Sequence, residues 1–461
     1  MSEITRTLAA HATGLRYEDL PAEVADYAAQ LVLDLVGIGL RASVDAESTP
    51  SIRDAVLAIA GDGEASAFGE ERTLAPAHAA LLNGALAHSL DFDDTHRDGS
   101  VHPGAAVIPV VLALAEQHGL GGRRAIAALA AGYDVTCRLS MAVDPRSHYA
   151  RGFHPTATLG VFGATAAGAN LLGLSATELE NAFGVNGSQA AGSMQYLENG
   201  SWNKRVHPGF AAHDAILALE LARHGFHGSS EPIEGRRGVL RGYSDAARPE
   251  VAVAGLGERW EILHTAIKPY PACRYAHAPL DILVDLVAEH DLRPGEVESV
   301  TVGVCDAGLD LIGTPLERKH EVASIVDGQF SMPFLAAVAL MRRRMTWSDY
   351  DLVGDAGAAA LARRVTVVAD EEANALFPER WLGAVEVVTS RGTFADRRWV
   401  TRGERERPLG WEGVEAKFDD LAAATHAAPE RRALAATARD LAGLGDLREL
   451  GRQLRAEPVR A

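Results

Sequence analysis

The chain has 461 residues, enough for two or three domain lengths and a large core, so size alone calls for no disulfide or metal staple. Its formal net charge of −18 excludes the positive footprint that a nucleic acid or an anionic membrane demands. Apolar residues make up 47% and aromatic ones only 6%, so Ala, Leu, Val and Gly dominate and closely packed helices are expected.

Cys137, Cys273 and Cys305 are widely spaced and form no CxxC pair, which argues against a cysteine-held iron–sulfur cluster and fits a reduced, cytoplasmic setting. The stretch up to Leu20 mixes charges with short apolar runs and lacks the plan of a signal peptide, so export is not expected. From Pro21 to Gly225 apolar residues recur three and four apart between Gly, Pro and Ser breaks, which predicts a succession of helices. They are expected over Pro21–Gly39, Leu74–Leu90, Gly104–His118, Arg123–Ser140 and Pro208–His224, the last stopped by Gly225. Ser175 and Glu178 have capping-box spacing and open another helix after Gly173. The uncharged run Thr156–Leu174 consists largely of Gly, Ala and Thr, which give little insertion energy, so it reads as a buried helix and not a membrane span.

After the polar, Gly-rich stretch 228–242 the pattern changes. β-Branched residues mark strands over Trp260–Ile267, Val297–Val304, Arg364–Val368 and Ala384–Ser390, the last leading into a hairpin turn at 390–393. Helices are expected between them at Ala276–His290 and Gly328–Arg343. The pattern describes a smaller α+β unit, roughly 268–405, inserted before a final helical segment over 412–457. The expected fold class is therefore mainly α with a smaller α+β domain.

The densest polar cluster is His88, Asp91, Asp93, Asp94, Thr95 and His96, with His102 following after a loop. On a continuing helix His88, Asp91 and Thr95 share one face while Asp93 and Asp94 turn elsewhere. Such a corner can place a carboxylate, a hydroxyl and an imidazole around one small substrate, although the same spacing suits helix-end carboxylates and surface histidines. Neither HExxH nor facial-triad spacing is present, so no metal site is expected. His154, between Phe153 and Pro155 at a helix start, reads either as a positioned group or as a capping residue.

Lysine usage is an independent signal. Of 44 basic residues only Lys204, Lys268, Lys319 and Lys417 are lysines, and in a chain that otherwise uses Arg, a retained Lys favours roles that need a compact ammonium or a removable proton. Lys204 and Lys268 each precede an expected helix, where backbone N–H groups help to hold an anion. Lys319 and Lys417 lie in charged stretches and are expected to be solvated.

Together these segments resemble the MmgE/PrpD family, which contains 2-methylcitrate dehydratases, cis-aconitate decarboxylases and an iminodisuccinate epimerase. The strings that carry the resemblance run from Asn83 to Thr95, then His102-Pro, Gly152-Phe-His154-Pro, Lys204 with His207, and Lys268-Pro-Tyr-Pro-Ala-Cys-Arg-Tyr-Ala-His277. The resemblance implies a large helical domain built from both chain ends, 1–267 and 406–461, and an α+β lid domain, 268–405, in a homodimer without metal or organic cofactor. It implies active-site positions at Asp91, Thr95, His102, His154, Lys204 and Lys268. Two departures stand out: the loop from Thr95 to His102 is a residue longer than in the decarboxylases, and Phe334 stands where they commonly carry Tyr.

Elimination of water and loss of CO₂ from a polycarboxylate both pass through carbanion-like charge, which Lys204 and Lys268 suit. His102 is expected as the acid/base group and Asp91 as its partner carboxylate, with Thr95, His154, Arg274 and His277 binding substrate; a carboxylate beside two lysines is too weak a base itself. The expected function is a cofactor-independent hydro-lyase of the 2-methylcitrate dehydratase kind, acting on a small polycarboxylate, with no nucleic-acid or membrane partner. A cis-aconitate-type decarboxylase and a dicarboxylate epimerase need the same groups and stay open, as does a silent binding protein on the same fold.

Overall fold

The computed structural model describes residues 3–198, 200–377 and 380–455. They fall into two units, Met1–Ile267 with Gly410–Ala461, and Lys268–Leu409. The first is helical. In chain order it contains α1 (Ala22–Asp45), α2 (Pro76–His88), the short strand β1 (Thr95–His96), α3 (Gly104–His118), α4 (Gly122–Val143), α5 (Pro155–Thr158), α6 (Gly160–Leu172), α7 (Ala176–Gln189), α8 (Asn203–Arg223) and β2 (Thr265–Ala266), among others.

Helices α4 and α6 pack along one another, as do α2 and α8, and glycines set both distances. A Cβ on Gly163 of α6 would stand 1.7 Å from Thr136 Oγ1, and one on Gly209 of α8 would stand 2.4 Å from the Leu81 carbonyl oxygen. Nothing larger than hydrogen fits at either place. Helices α1 and α4 are long and apolar enough to cross a membrane, but 78% and 94% of their apolar windows are buried inside the structure, as core helices are.

The expected run Thr156–Leu174 is buried but divides into α5 and α6 at Leu159. The capping box at Ser175 and Glu178 does open α7. Helix α8 begins at Asn203, five residues ahead of the expected start at Pro208. Pro208 sits in its second turn, where the missing N–H costs only the bond to the Lys204 carbonyl. The expected strand Trp260–Ile267 is largely a 3₁₀ turn, Glu261–His264, leaving only β2. At its start the Glu261 N–H donates to the buried Asp134 carboxylate at 2.8 Å, which commits that donor to a side chain instead of a ladder.

The second unit carries helices α9 (His277–His290) and α10 (Met332–Arg342) and strands β3 (Val297–Val304), β4 (Val365–Ala369), β5 (Gly383–Thr389) and β6 (Gly392–Arg398). The sheet order is β4-β3-β5-β6. β3 and β4 are parallel with Val300 opposite Val365, whereas β3–β5 and β5–β6 are antiparallel, the latter closed by the two-residue turn Ser390–Arg391. Helix α9 packs on β5 and β6, and α10 on α9 and β4.

The chain then re-enters the first unit with α11 (Gly410–Ala422), α12 (Ala428–Arg439) and α13 (Arg448–Leu454); positions 456 and 457 of the expected final helix lie outside the described residues. Lys417 corrects an expectation. Its side chain, 7% exposed, lies between α11 and α1, 2.6 Å from Asp34, with its ammonium 3.7 Å from the centre of the Phe92 ring. Lys319 is likewise half-buried and donates to the Leu311 carbonyl at 2.6 Å. A charged neighbourhood in sequence says little about what a long side chain reaches in space.

Candidate active site

Helix α2 ends at His88, and three residues later Asp91 adopts a left-handed backbone with φ of +52°. The chain reverses there into β1, which pairs with β2 through Thr95 opposite Ala266. The helix therefore does not continue, and the shared face expected for His88, Asp91 and Thr95 does not form. Asp93 and Asp94, expected to turn away, are the buried pair, at 0% and 3% exposure. The reversal aims both carboxylates inward, where they find donors.

Asp93 Oδ2 accepts from His88 Nδ1 at 2.7 Å and lies 3.4 Å from His102 Nδ1. His102 Nδ1 also stands 2.7 Å from the Asp94 carbonyl oxygen. A carbonyl only accepts, so Nδ1 carries the proton and Nε2 has the lone pair when the ring is neutral. Thr95 Oγ1 lies 3.4 Å from the same nitrogen, and the His102 N–H donates to Thr156 Oγ1. The expected partnership of His102 with Asp91 is thus replaced by one with Asp93 and Asp94.

Asp91 pairs instead with Lys204, whose Nζ donates to Oδ1 at 3.0 Å from the first turn of α8. Burial opposes the lysine's charge, but the Asp91 carboxylate and its hydrogen bond, together with the negative charges available at Tyr196 and Asp93, outweigh it and hold the ammonium above the ordinary lysine value. One turn further on, His207 Nδ1 lies 3.2 Å from His154 Nδ1. Burial lowers both rings, His207 to about 4 and His154 well below its usual value, with the charges of His88 and Lys204 adding to the effect. The shifts favour the neutral form of both rings, and at this distance one Nδ1 donates to the other. His154 is thus a positioned ring and not a capping side chain.

The rings form a chain within this unit: His102 and His88 have centroids 4.9 Å apart, His88 and His154 5.7 Å, and His154 and His207 5.4 Å. Tyr196 closes on His207 at 5.7 Å. The loop between Thr95 and His102 is pinned from three sides. His96 Nε2 donates to Glu261 at 3.1 Å, its Nδ1 accepts from the Gly99 N–H, and the Ser140 hydroxyl donates to the Gly99 carbonyl. Below it, Asp94 accepts from the Tyr133 hydroxyl at 2.6 Å and the Gly104 N–H at 3.1 Å. Burial nevertheless pushes its carboxyl up to about 7.

The other three candidates lie in the second unit. Lys268 is its first residue and is buried. The Arg274 guanidinium is ion-paired with Glu404, and buried His277 donates from Nε2 to the Ala272 carbonyl at 3.1 Å. Both therefore have local structural partners. Phe334 is also buried here and stacks on Tyr350 at 6.0 Å.

The structure thus brings Asp91, Thr95, His102, His154 and Lys204 into one cluster and adds His88, Asp93, Asp94, His207 and Tyr196, which spacing arguments did not select as site residues. Among the described residues, His88, Asp93 and His102 also place ligand-type atoms within 4.8 Å of one another. The 2.7 Å between His88 Nδ1 and Asp93 Oδ2 is a hydrogen-bond length, whereas two ligands of one tetrahedral zinc stand about 3.3 Å apart. The set fits a hydrogen-bonded relay better than a chelate. Chemically, the cluster offers a fixed ammonium, neutral imidazoles and one imidazole backed by a carboxylate.

Residues 6–252 match the MmgE/PrpD N-terminal domain and residues 270–442 the MmgE/PrpD C-terminal domain. Among characterised proteins, the chain is 29% identical to a cis-aconitate decarboxylase-like protein of Aspergillus oryzae, over 76% of this chain and 75% of that one. It is 27% identical to cis-aconitate decarboxylase of Aspergillus terreus, covering 80% and 79%. The human cis-aconitate decarboxylase is 25% identical over 91% of this chain and 87% of its own.

Proposed function

This chain belongs to the MmgE/PrpD family, and on that footing we propose that it is a lyase acting on a small polycarboxylic acid, with cis-aconitate-type decarboxylation as the first reading. The observation that carries the proposal is the Lys204–Asp91 pair, 3.0 Å apart, in the same cluster as His102 and its carboxylate support. The decarboxylases to which it is similar favour loss of CO₂.

In this reading the Lys204 ammonium gives one N–H to Asp91 and the others to a substrate carboxylate. When the C–C bond breaks, the electron pair left on the substrate is delocalised into that carboxylate and stabilised by the fixed positive charge. His102, protonated at Nε2, delivers the proton to carbon as CO₂ departs. Neutral His154 and Thr95 bind by hydrogen bonds without adding charge. The family resemblance adds Lys268 to the proposed catalytic set and a homodimer as the working assembly.

A second reading, the 2-methylcitrate dehydratase-like hydro-lyase, is favoured by Phe334, which has no proton to give where the decarboxylases commonly carry Tyr. Incubating the purified protein with cis-aconitate, 2-methylcitrate, citrate and iminodisuccinate, followed by NMR and mass spectrometry, separates the two. Loss of CO₂ from cis-aconitate supports the first and loss of water from 2-methylcitrate the second. A product of unchanged mass points to an epimerase, and binding without turnover of any of the four sinks the lyase reading.

A further inference from the structure

The proposed reaction uses His102 but assigns no step to Asp93 or His88. Both side chains are fully buried, and Asp93 Oδ2 is aimed at two imidazoles from different elements, His88 on α2 and His102 at the far end of the reversing loop. A buried carboxylate is tolerable when donors or cations face it. Here one donor is permanent, at 2.7 Å from His88, and the other is 3.4 Å away on the ring that exchanges a proton.

The two acceptors around His102 Nδ1 differ in kind. The neutral ring keeps its N–H on the Asp94 carbonyl at 2.7 Å. An imidazolium gains far more from a full negative charge than from a carbonyl dipole, because charge-assisted hydrogen bonds are the stronger ones in a buried site. We propose that Asp93 is the counter-ion for His102 whenever that ring takes up a proton, and that His88 is the positioning residue that holds Asp93 in place. His88 is suited to this role, because its Nδ1 is committed to Asp93 at 2.7 Å.

Other groups about His102 must be weighed with it. Asp91, Asp94 and Thr95 come from its own loop, His154 from the start of α5, Lys204 and His207 from α8, and Tyr133 of α4 reaches it through Asp94. Lys204 opposes a second positive charge, and Asp91 is already occupied by it. Asp93 places a carboxylate oxygen 3.4 Å from His102 Nδ1. The assignment rests on the reading that His102 moves a proton, but its test does not.

The experiment is an NMR titration of the full chain labelled with ¹⁵N and ¹³C at histidine, His102 being identified from the His102→Gln spectrum. The wild-type ring is expected to carry its neutral proton on Nδ1, and Asp93→Asn to lower its pKa by about one unit or more, the usual effect of losing an opposite charge at this range. His88→Leu is expected to lower it too, and His88→Asn, which keeps an N–H near the Nδ1 position, to restore most of it. A His102 pKa the same in wild type, Asp93→Asn and His88→Leu overturns the proposal. If Asp93→Asn does not fold, the contrast between His88→Leu and His88→Asn decides, because a merely structural role moves the melting temperature and not the pKa. With a substrate in hand, the same variants shift the limb of the kcat/KM profile that reports His102 while leaving KM near its wild-type value. Full turnover in His102→Gln sinks the proton-transfer reading alone and leaves the titration result standing.

Discussion

Lys204 and Asp91 are 113 residues apart in sequence and 3.0 Å apart in space, joining the first turn of α8 to the left-handed residue that reverses the chain after α2. The pair is partly exposed, with 28% of the lysine side chain and 15% of the aspartate accessible. Its expected share in folding is small, and the proposed role of its accessible atoms is to meet a small acid.

Removing the ammonium tests that division. Lys204→Ala is expected to lower kcat/KM by about 10² to 10³, the scale seen when one fixed stabiliser of developing charge is lost. Lys204→Arg is not expected to restore it, since a planar fork does not fit the place of a compact cation. Denaturation curves of both variants should overlay the wild type; a stability loss matching the activity loss would reassign the pair to the fold.

Asp91 separates backbone from charge. Its φ of +52° costs an ordinary residue about 1 kcal/mol or more, and Gly nothing. Asp91→Gly should therefore keep or raise the melting temperature and Asp91→Ala lower it, while both lose turnover alike. Activity retained in Asp91→Gly alone would show that only the turn matters.

Packing between α2 and α8 sets the distance between His88 and the Lys204–His207 edge. Gly209→Ala drives a methyl against the Leu81 carbonyl at 2.4 Å, so the helices must separate. The expected cost is about 1–3 kcal/mol of stability, with a loss of turnover of about tenfold or more from misplaced groups. Thermal melts and steady-state kinetics read the two effects separately. Unchanged kinetics would show that α8 reaches the site independently of this contact.

Glu116, near the end of α3, gives a pH prediction remote from the chemistry. Burial pushes its carboxyl up to about 7 even though Ser66 donates to it from N–H and hydroxyl. A raised carboxyl is protonated in the folded state while the unfolded chain has already released its proton. Its contribution is therefore full below about 4.5 and lost as pH rises to about 7. Glu116→Gln is expected to remove that slope, so that the drop in unfolding free energy between pH 5 and pH 8 shrinks by about 2–3 kcal/mol. Denaturant titrations at the two pH values measure it, and an undiminished drop would place the titration elsewhere.

Much of the helical plan was legible in the sequence. Gly104–His118 and Val297–Val304 carry strong local periodicity between clear breakers, and the expected bounds coincide with α3 and β3. The capping box at Ser175 is a contact between residues three apart, so spacing suffices to find it. The five candidate positions that the first unit brings together were visible because each lies in a distinctive string, and the two candidate lysines stood out against forty arginines.

Pairing was not legible. Asp93 and Asp94 look like the outer face of a helix until Asp91 turns the chain, and a single residue in a left-handed conformation has no periodicity to announce it. Lys417 reads as a surface charge until Asp34, on another helix, takes it into the core. The sequence by itself determined which chemical groups this protein has and which local elements carry them, because helix and strand signals act over a few residues. Only the tertiary structure decided that His102 answers to Asp93 and Asp94, and Asp91 to Lys204, because a hydrogen bond needs a donor within about 3 Å and chain reversals alone set which side chains come that close.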